Sequence, residues 1–330
     1  MKVAVVILNW NGKDLLEKFL PSVIRFSKEA TVYVADNAST DDSVAFVSEH
    51  FPTVKILQNT VNGGYAKGYN DALKNLSESI FVLLNSDVEV AENWLQPILT
   101  AFETDPTVVA AQPKILDYKN REYFEYAGAA GGFIDKYGYP YCRGRIFNTL
   151  EKDFGQYNDV SEIFWASGAC LFVRAQAFWQ AGGLDEDYFA HQEEIDLCWR
   201  LQAKGGKILY VGASQVYHVG GATLAALNPT KTFFNFRNSL FNLLKNAKGI
   251  TAFSSIFIRM VLDAAAAFQF LIQRKPNHFF AVLKAHFSFY GSLPKFLRKR
   301  RLFASKISYY SLKSIVFQYF IKKRRYFKEL

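Results

Sequence analysis

The sequence predicts an α/β fold built on a mostly parallel, doubly wound sheet, followed by a basic helical region. Three observations predict it. Apolar runs of strand length alternate with segments of helical periodicity through the first half of the chain. One run, Ile80–Leu84, holds five consecutive apolar residues, too many for a strand with one wet face, so it reads as a central strand covered on both sides. The third observation is charge. The 330 residues carry a net +9, but residues 226–330 hold 20 Lys and Arg against two acids, Asp263 and Glu329. That is a net +18, which leaves −9 for residues 1–225. An acidic front joined to a basic back divides the chain into a unit of residues 1–225 and one of residues 226–330.

The elements follow in order. Val3–Leu8 is a buried strand that ends in the turn Asn9-Trp10-Asn11-Gly12. Leu15, Leu16, Phe19, Leu20, Val23 and Ile24 recur at helical spacing, which predicts a helix over 14–28. Thr31–Ala35 is a second strand, ending at Asp36, and Val54–Leu57 a third. Asn62-Gly63-Gly64 is a tight turn that opens a helix to about Leu76. Ile80–Leu84 ends in Asn85-Ser86-Asp87, and Trp94 to Phe102 gives another helix. Residues 117–165, rich in Tyr and Gly, read as loops and short antiparallel strands. Ala169–Val173 is a strand, residues 175–181 a helix, and Glu193–Ala203 a helix stopped by Gly205. Lys207–Val211 and Gln215–His218 read as two short strands. From about Thr230 the chain turns to helices studded with Phe, Tyr, Lys and Arg.

Composition narrows the setting. Cys142, Cys170 and Cys198 show no paired spacing, so neither a disulfide framework nor a zinc site is expected, and a reducing cytoplasm is the default. Met1-Lys2 runs directly into a strand pattern rather than a signal peptide. Ile250–Ile272 comes nearest to a membrane span, but Arg259 and Asp263 interrupt it.

The polar residues gather where the strands end. Asn9 and Asn11 follow the first strand and Asp36 the second. Asn62, Gly64, Lys67 and Asn70 surround the glycine turn, and Asn85, Ser86 and Asp87 follow the fourth strand. In a parallel sheet those ends share one edge, where ligand crevices lie. Asp36 there can accept hydrogen bonds from a base or ribose, and Asp87 can ligate Mg²⁺ or Mn²⁺ and so hold a diphosphate. A fifth cluster, Glu193, Glu194 and Asp196, crowds three carboxylates at a helix start. This suits the helix dipole and equally suits a general base whose pKa its neighbours raise. His218, just past a strand and followed by glycines, is a candidate metal or phosphate ligand. A sugar-nucleotide enzyme, a nucleotidyltransferase and a non-catalytic sugar-nucleotide-binding protein all remain open on these residues.

Eight stretches then occur in a particular order: Val5-Val6-Ile7-Leu8-Asn9-Trp10-Asn11-Gly12, Val34-Ala35-Asp36-Asn37-Ala38-Ser39, Asn62-Gly63-Gly64-Tyr65-Ala66-Lys67-Gly68-Tyr69-Asn70, Asn85-Ser86-Asp87 with Trp94-Leu95 downstream, Ser167-Gly168-Ala169-Cys170, Gly182-Gly183-Leu184-Asp185-Glu186, Glu193-Glu194-Ile195-Asp196-Leu197-Cys198-Trp199-Arg200 and His218-Val219-Gly220-Gly221. Together they resemble the family-2 glycosyltransferases of GT-A fold, in their rhamnosyltransferase-like branch, over about the first 225 residues. The resemblance implies a GT-A, Rossmann-like sheet and inverting transfer of a sugar from a nucleotide-diphosphate donor to a glycan or polyprenyl-linked acceptor. It places Asp36 on the nucleoside and Asn85-Ser86-Asp87 in the metal-binding DxD position. It makes Glu194, beside Glu193, the base, and His218 a further metal or diphosphate ligand. Trp165 and Asp196 would lie on the acceptor side. Two departures stand out: Asn85 replaces the first Asp of DxD, and Glu193-Glu194 replaces a Glu-Asp pair.

The basic back is expected to lie on an anionic membrane surface, with Lys295–Arg301 and Lys322–Arg325 meeting headgroups, at the inner face of the cell membrane. No nucleic-acid-binding motif is present, and an acidic front argues against that partner.

Overall fold

Alternation of side chains along each strand settles the layers. On Val3–Asn9 (β1), Val3, Val5 and Ile7 enter one apolar cluster, while Ala4 and Val6 enter another on the opposite face. The computed structural model, which describes residues 1–220, 228–303 and 307–330, shows the same split at Ile80–Asn85, where Ile80, Val82 and Leu84 enter the first cluster and Phe81 and Leu83 the second. Helix Lys13–Phe26 (α1) follows, then strand Thr31–Asp36 (β2), helix Ser43–His50 (α2), strand Lys55–Gln58 (β3), helix Gly64–Leu73 (α3) and strand Ile80–Asn85 (β4). These four strands pair in parallel in the order β4-β1-β2-β3. Residues 80–84 of β4 are completely buried, as the apolar run requires.

The second half completes the sheet with mixed polarity. Val88–Val90 (β5) is followed by helix Gln96–Thr104 (α4) and the long strand Val108–Asp117 (β6). A four-stranded antiparallel sheet of Gly132–Ile134 (β7), Pro140–Cys142 (β8), Arg145–Ile146 (β9) and Thr149–Leu150 (β10) occupies the region expected to hold loops and short antiparallel strands. Val160–Glu162 (β11) and Cys170–Arg174 (β12) return to the main sheet, and β12 inserts antiparallel between β4 and β6. Helices Ala175–Gln180 (α5) and Glu193–Ala203 (α6) lead to Lys207–His218 (β13), which pairs in parallel with β6. The two short strands expected here are one strand, because the register shift between Val211 and Gln215 is a bulge rather than a break.

Three helices follow: Pro229–Asn246 (α7), Thr251–Ile272 (α8) and Pro276–Phe303 (α9). Gly221 and the expected division at 225/226 lie outside the described residues. Beyond that division α7 is no satellite. Leu240, Phe241, Leu243 and Leu244 join the same apolar cluster as Tyr188, Ile195 and Leu197. The C-terminal residues turn back onto the small sheet, where Ile315 and Tyr319 pack on Tyr141 and Ile146.

Candidate active site

Asn85 ends β4 and Asp87 lies two residues on, while the antiparallel pairing of β5 with β13 sets His218 opposite Val88. The result is an ion pair between chain segments far apart in sequence. His218 Nε2 lies 3.1 Å from Asp87 Oδ1 and 3.4 Å from Asn85 Nδ2. Its other nitrogen, Nδ1, is 3.3 Å from Glu125 Oε2. Asp87 and His218 are each only 5% exposed. Burial disfavours charge on His218, yet Glu125 and Asp87 on either side outweigh it and push its pKa up to about 10. Burial likewise opposes ionisation of Asp87, and His218 overcomes this to hold the carboxyl below its ordinary value.

These residues fit a divalent cation shared with a diphosphate. Asp87 and His218 converge at one point, and with the His218 proton displaced they would offer an oxygen and a nitrogen donor to Mn²⁺ or Mg²⁺. Among the described residues no group of three or more His, Cys, Asp and Glu side chains is placed to hold a metal ion, so a cation here would take most of its ligands from donor phosphates and water.

The turns that follow β1 and β2, where a nucleoside is expected, brace each other. Asn9 is buried and donates to Asp36 Oδ1 and Ser39 Oγ, both at 3.2 Å, and Asp36 Oδ2 accepts from Ser39 N at 3.0 Å. Asn11 Oδ1 accepts from Thr40 N at 2.7 Å. Asn62 Oδ1 accepts from Gly64 N and from Asn37 Nδ2. Gly64 adopts φ +76°, and a Cβ there would sit 2.5 Å from the Phe189 oxygen, so only glycine lets α3 begin against that loop.

The carboxylate end lies at the start of α6. Glu193 is buried and Glu194 half-buried. Burial pushes the Glu194 carboxyl up to about 7. Burial, then the charge of Glu194, raises Glu193 further, and its Oε2 has no hydrogen-bond partner. A carboxyl poised near neutrality is what a general base needs. The backbone leading to it is strained: Phe189, His191 and Gln192 all have φ between 64° and 71° without being glycine.

Helix α7 maintains that strain. Asn238 Nδ2 donates to the Ala190 and His191 oxygens at 3.0 and 2.7 Å. Arg237 donates to the Tyr188 oxygen, and Asn242 accepts from the Tyr188 hydroxyl at 2.8 Å.

Two residues connect the cation end to the carboxylate end. Tyr65 lies in the field of Glu193 and Glu194, and its hydroxyl donates to the Gly168 oxygen at 2.7 Å. The next carbonyl, of Ala169, accepts from Asn85 N at 3.0 Å. Lys231, at the start of α7, is close enough to Glu125 and His191 for each pair to feel the other's charge, and burial lowers its pKa. Glu125, Lys231, Arg237 and Asn238 gave no sequence signal except their polarity.

Several expected site residues have other partners. Asp196 is 0% exposed and binds Arg200 at 2.7 Å, Lys245 at 2.9 Å and Asn246 at 2.8 Å, so it joins α6 to α7 and does not face an acceptor. Trp165 is buried over Gly132 and donates Nε1–H to the Phe133 oxygen, so it is a core residue rather than an acceptor wall. Lys67 pairs with Asp71 at 2.9 Å. Asn70 exchanges hydrogen bonds with the Leu184 backbone, and Gly183, at φ +67°, leaves room for it. Ser86 is half-buried in the turn before Asp87. Lys295 and Lys299, expected among headgroups, contact Asp185 and Asp187, and Arg300 caps the α7 carbonyls of Leu244 and Ala247. The basic back is held to the acidic front by its own charges.

A sheet of this topology, with a carboxylate–imidazole pair at the end of its central strand and a near-neutral carboxyl at a following helix start, defines a GT-A glycosyltransferase. The family model for glycosyl transferase family 2 matches residues 4–182, more than half of the chain, and the protein belongs to that family. It is 28% identical over 230 residues to N-acetylglucosaminyl-diphospho-decaprenol L-rhamnosyltransferase of Mycobacterium tuberculosis, covering 65% of this chain and 75% of that protein. It is 27% identical over 222 residues to the pre-mycofactocin glycosyltransferase of the same organism, covering 66% and 42%. Among solved structures it resembles S. aureus TarS 1-349 in complex with UDP-GlcNAc, with a TM-score of 0.56, 12% identity and 92% of each chain covered. It also resembles the mannosyltransferase PcManGT of Pyrobaculum calidifontis in complex with GDP-Man and Mn²⁺, with a TM-score of 0.54, 15% identity and 89% and 75% covered.

Proposed function

We propose that the protein transfers a sugar, with inversion, from a nucleotide-diphosphate donor to a glycan or polyprenyl-linked acceptor in cell-surface polysaccharide biosynthesis, at the cytoplasmic face of the membrane. The single observation that carries the reading is Glu194, a half-buried carboxyl pushed up to about 7 at the head of α6 and close enough to Tyr65 for each to feel the other's charge. Glu194 takes the proton from an acceptor hydroxyl. The freed oxygen pair bonds to the anomeric carbon as that carbon's bond to the diphosphate oxygen breaks, and the leaving diphosphate keeps the electron pair. Asp87 and His218 would hold Mg²⁺ or Mn²⁺, which supplies positive charge against the departing diphosphate. Asp36, Asn9 and Asn11 shape the nucleoside end. Glu193 is the harder of the two to ionise, because burial and then the charge of Glu194 raise it, so Glu194 is the one that carries the negative charge. The relatives include one whose name specifies a decaprenol-linked acceptor, which supports a lipid-linked substrate.

The test is a panel of nucleotide sugars screened by thermal shift with Mg²⁺ or Mn²⁺, followed by product analysis. A donor that raises Tm by about 2 °C or more only when the cation is present, and a product of inverted configuration, support the reading. No response from any donor with either cation, or a retained configuration, overturns it.

A further inference from the structure

Helix α8 is built with its charges turned inward. Arg259, 3% exposed, lies 2.7 Å from Asp263, and the Tyr139 hydroxyl donates to Asp263 at 2.9 Å. Arg259 also stacks 3.8 Å over the Tyr139 ring and donates to the Tyr137 oxygen, and His286 of α9 reaches the far oxygen of Asp263. The outer side is the apolar one. Phe257 (70% exposed), Val261, Phe268 and Ile272 (83%) fall on one stripe at intervals of four, seven and four residues. Helix α9 runs back beside it, with Met260 touching Tyr290 and Phe270 near His278, and exposes Phe280 and Phe287 (75%).

The charges around these stripes have one sign. Between residues 251 and 303 the only acid is Asp263, which is buried, whereas Arg274, Lys275, Lys284 and Arg298 are exposed. A second copy of the same face would set cations against cations. An anionic lipid surface meets both the apolar stripes and the cations around them.

We propose that the outer face of the α8–α9 hairpin docks this protein onto an anionic bilayer, lying in the plane of the interface without crossing it. The proposal deepens the reading of a lipid-linked acceptor and rests on it. With 22 residues and a mean hydropathy of 1.7 in its most apolar window, α8 is long and apolar enough to span. Its two central charges, however, are fixed to Tyr137 and Tyr139 beside the small sheet. Crossing the bilayer would expose that pair to hydrocarbon or drag the small sheet in with it.

The experiment is flotation of the full chain with phosphatidylcholine vesicles, with and without phosphatidylglycerol. Wild type floats with the anionic vesicles, high salt weakens the association, and alkaline carbonate releases it. The double variant F257S/F287S loses binding at least 10-fold, with its Tm and its cation-dependent donor shift unchanged. Unchanged flotation of that variant overturns the proposal, as does resistance to carbonate or a salt-insensitive dimer that F257S/F287S dissociates. If wild type floats but no donor binds, the surface stands and the glycosyl-transfer reading falls. If donors bind and wild type does not float, the reverse holds.

Discussion

Asn238 of α7 donates its side-chain amide to the main-chain oxygen of His191, 2.7 Å away and three residues ahead of Glu194. The same amide reaches the Ala190 oxygen. A left-handed stretch of non-glycine backbone costs on the order of 1–3 kcal/mol per residue and persists only where its surroundings over-determine it. Here the surroundings are a helix from the part of the chain that its charge alone would set apart.

Replacing Asn238 by Ala therefore acts on the base through the loop. We expect kcat to fall roughly 10- to 100-fold, because small displacements of a catalytic group are costly. Donor affinity should hold within a factor of two. Steady-state kinetics beside calorimetric donor binding check this; a change in donor binding alone would place Asn238 elsewhere in the cycle.

Glu194→Gln keeps the shape of the side chain and removes its basicity. Turnover should fall about 10²- to 10⁴-fold, with cation-dependent donor binding intact. Wild-type-like turnover would transfer the base to Glu193.

The pH profile has a defined sign. The base acts when deprotonated, so kcat should rise with pH through about 7, the value to which burial pushes Glu194. Stability moves the other way. The folded state holds this proton more tightly than an unfolded carboxyl with its ordinary value of 4.5, so the stability it contributes is lost as pH rises from about 4.5 to 7. In Glu194→Gln a series of Tm measurements over the same window should show a smaller loss than wild type, the remainder coming from Glu193, whose carboxyl burial also raises.

Asp87→Ala removes the carboxylate paired with His218 Nε2, where the cation is proposed to bind. Calorimetry should show donor binding that no longer responds to Mg²⁺ or Mn²⁺, a loss of 10-fold or more relative to wild type. Binding that still depends on the cation would move the metal site away from β4.

Asp196→Asn distinguishes a structural acid from a catalytic one two residues from the base. Breaking a buried ion pair costs about 3–5 kcal/mol, so Tm should drop by several degrees. Turnover per folded molecule should stay near wild type, measured at a temperature where the variant is fully folded.

The parallel half of the sheet and its polar edge were legible because burial on both faces forces unbroken apolar runs, as in β4, and because polar turns at strand ends are local in sequence. The pairing of Asp87 with His218 was legible only as two separate candidates, since the β5–β13 pairing that joins them spans 130 residues. Asp196 was misjudged although a signal existed: Arg200 lies four residues later, the spacing of a helical ion pair, and that pair turns away from Glu194. Trp165 was misjudged because a tryptophan beside a glycine turn suits either a ligand wall or a core, and only Gly132 across the strand decides. The clamp formed by α7 was hidden. Asn and Arg in a Phe-rich helix read as a wet face, whereas here they satisfy carbonyls that the left-handed loop leaves without helical partners.

The attachment of α7 and α9 to the loop before Glu194 also restricts how such proteins can recombine. A chimera joined between β13 and α7 would combine one parent's base with another parent's Asn238, Lys245 and Lys299, whose partners are backbone oxygens and the carboxylates Asp185, Asp187 and Asp196. The helical tail should therefore be exchanged together with the loop it braces, and exchange of the sheet alone should yield folded hybrids with a misplaced Glu194.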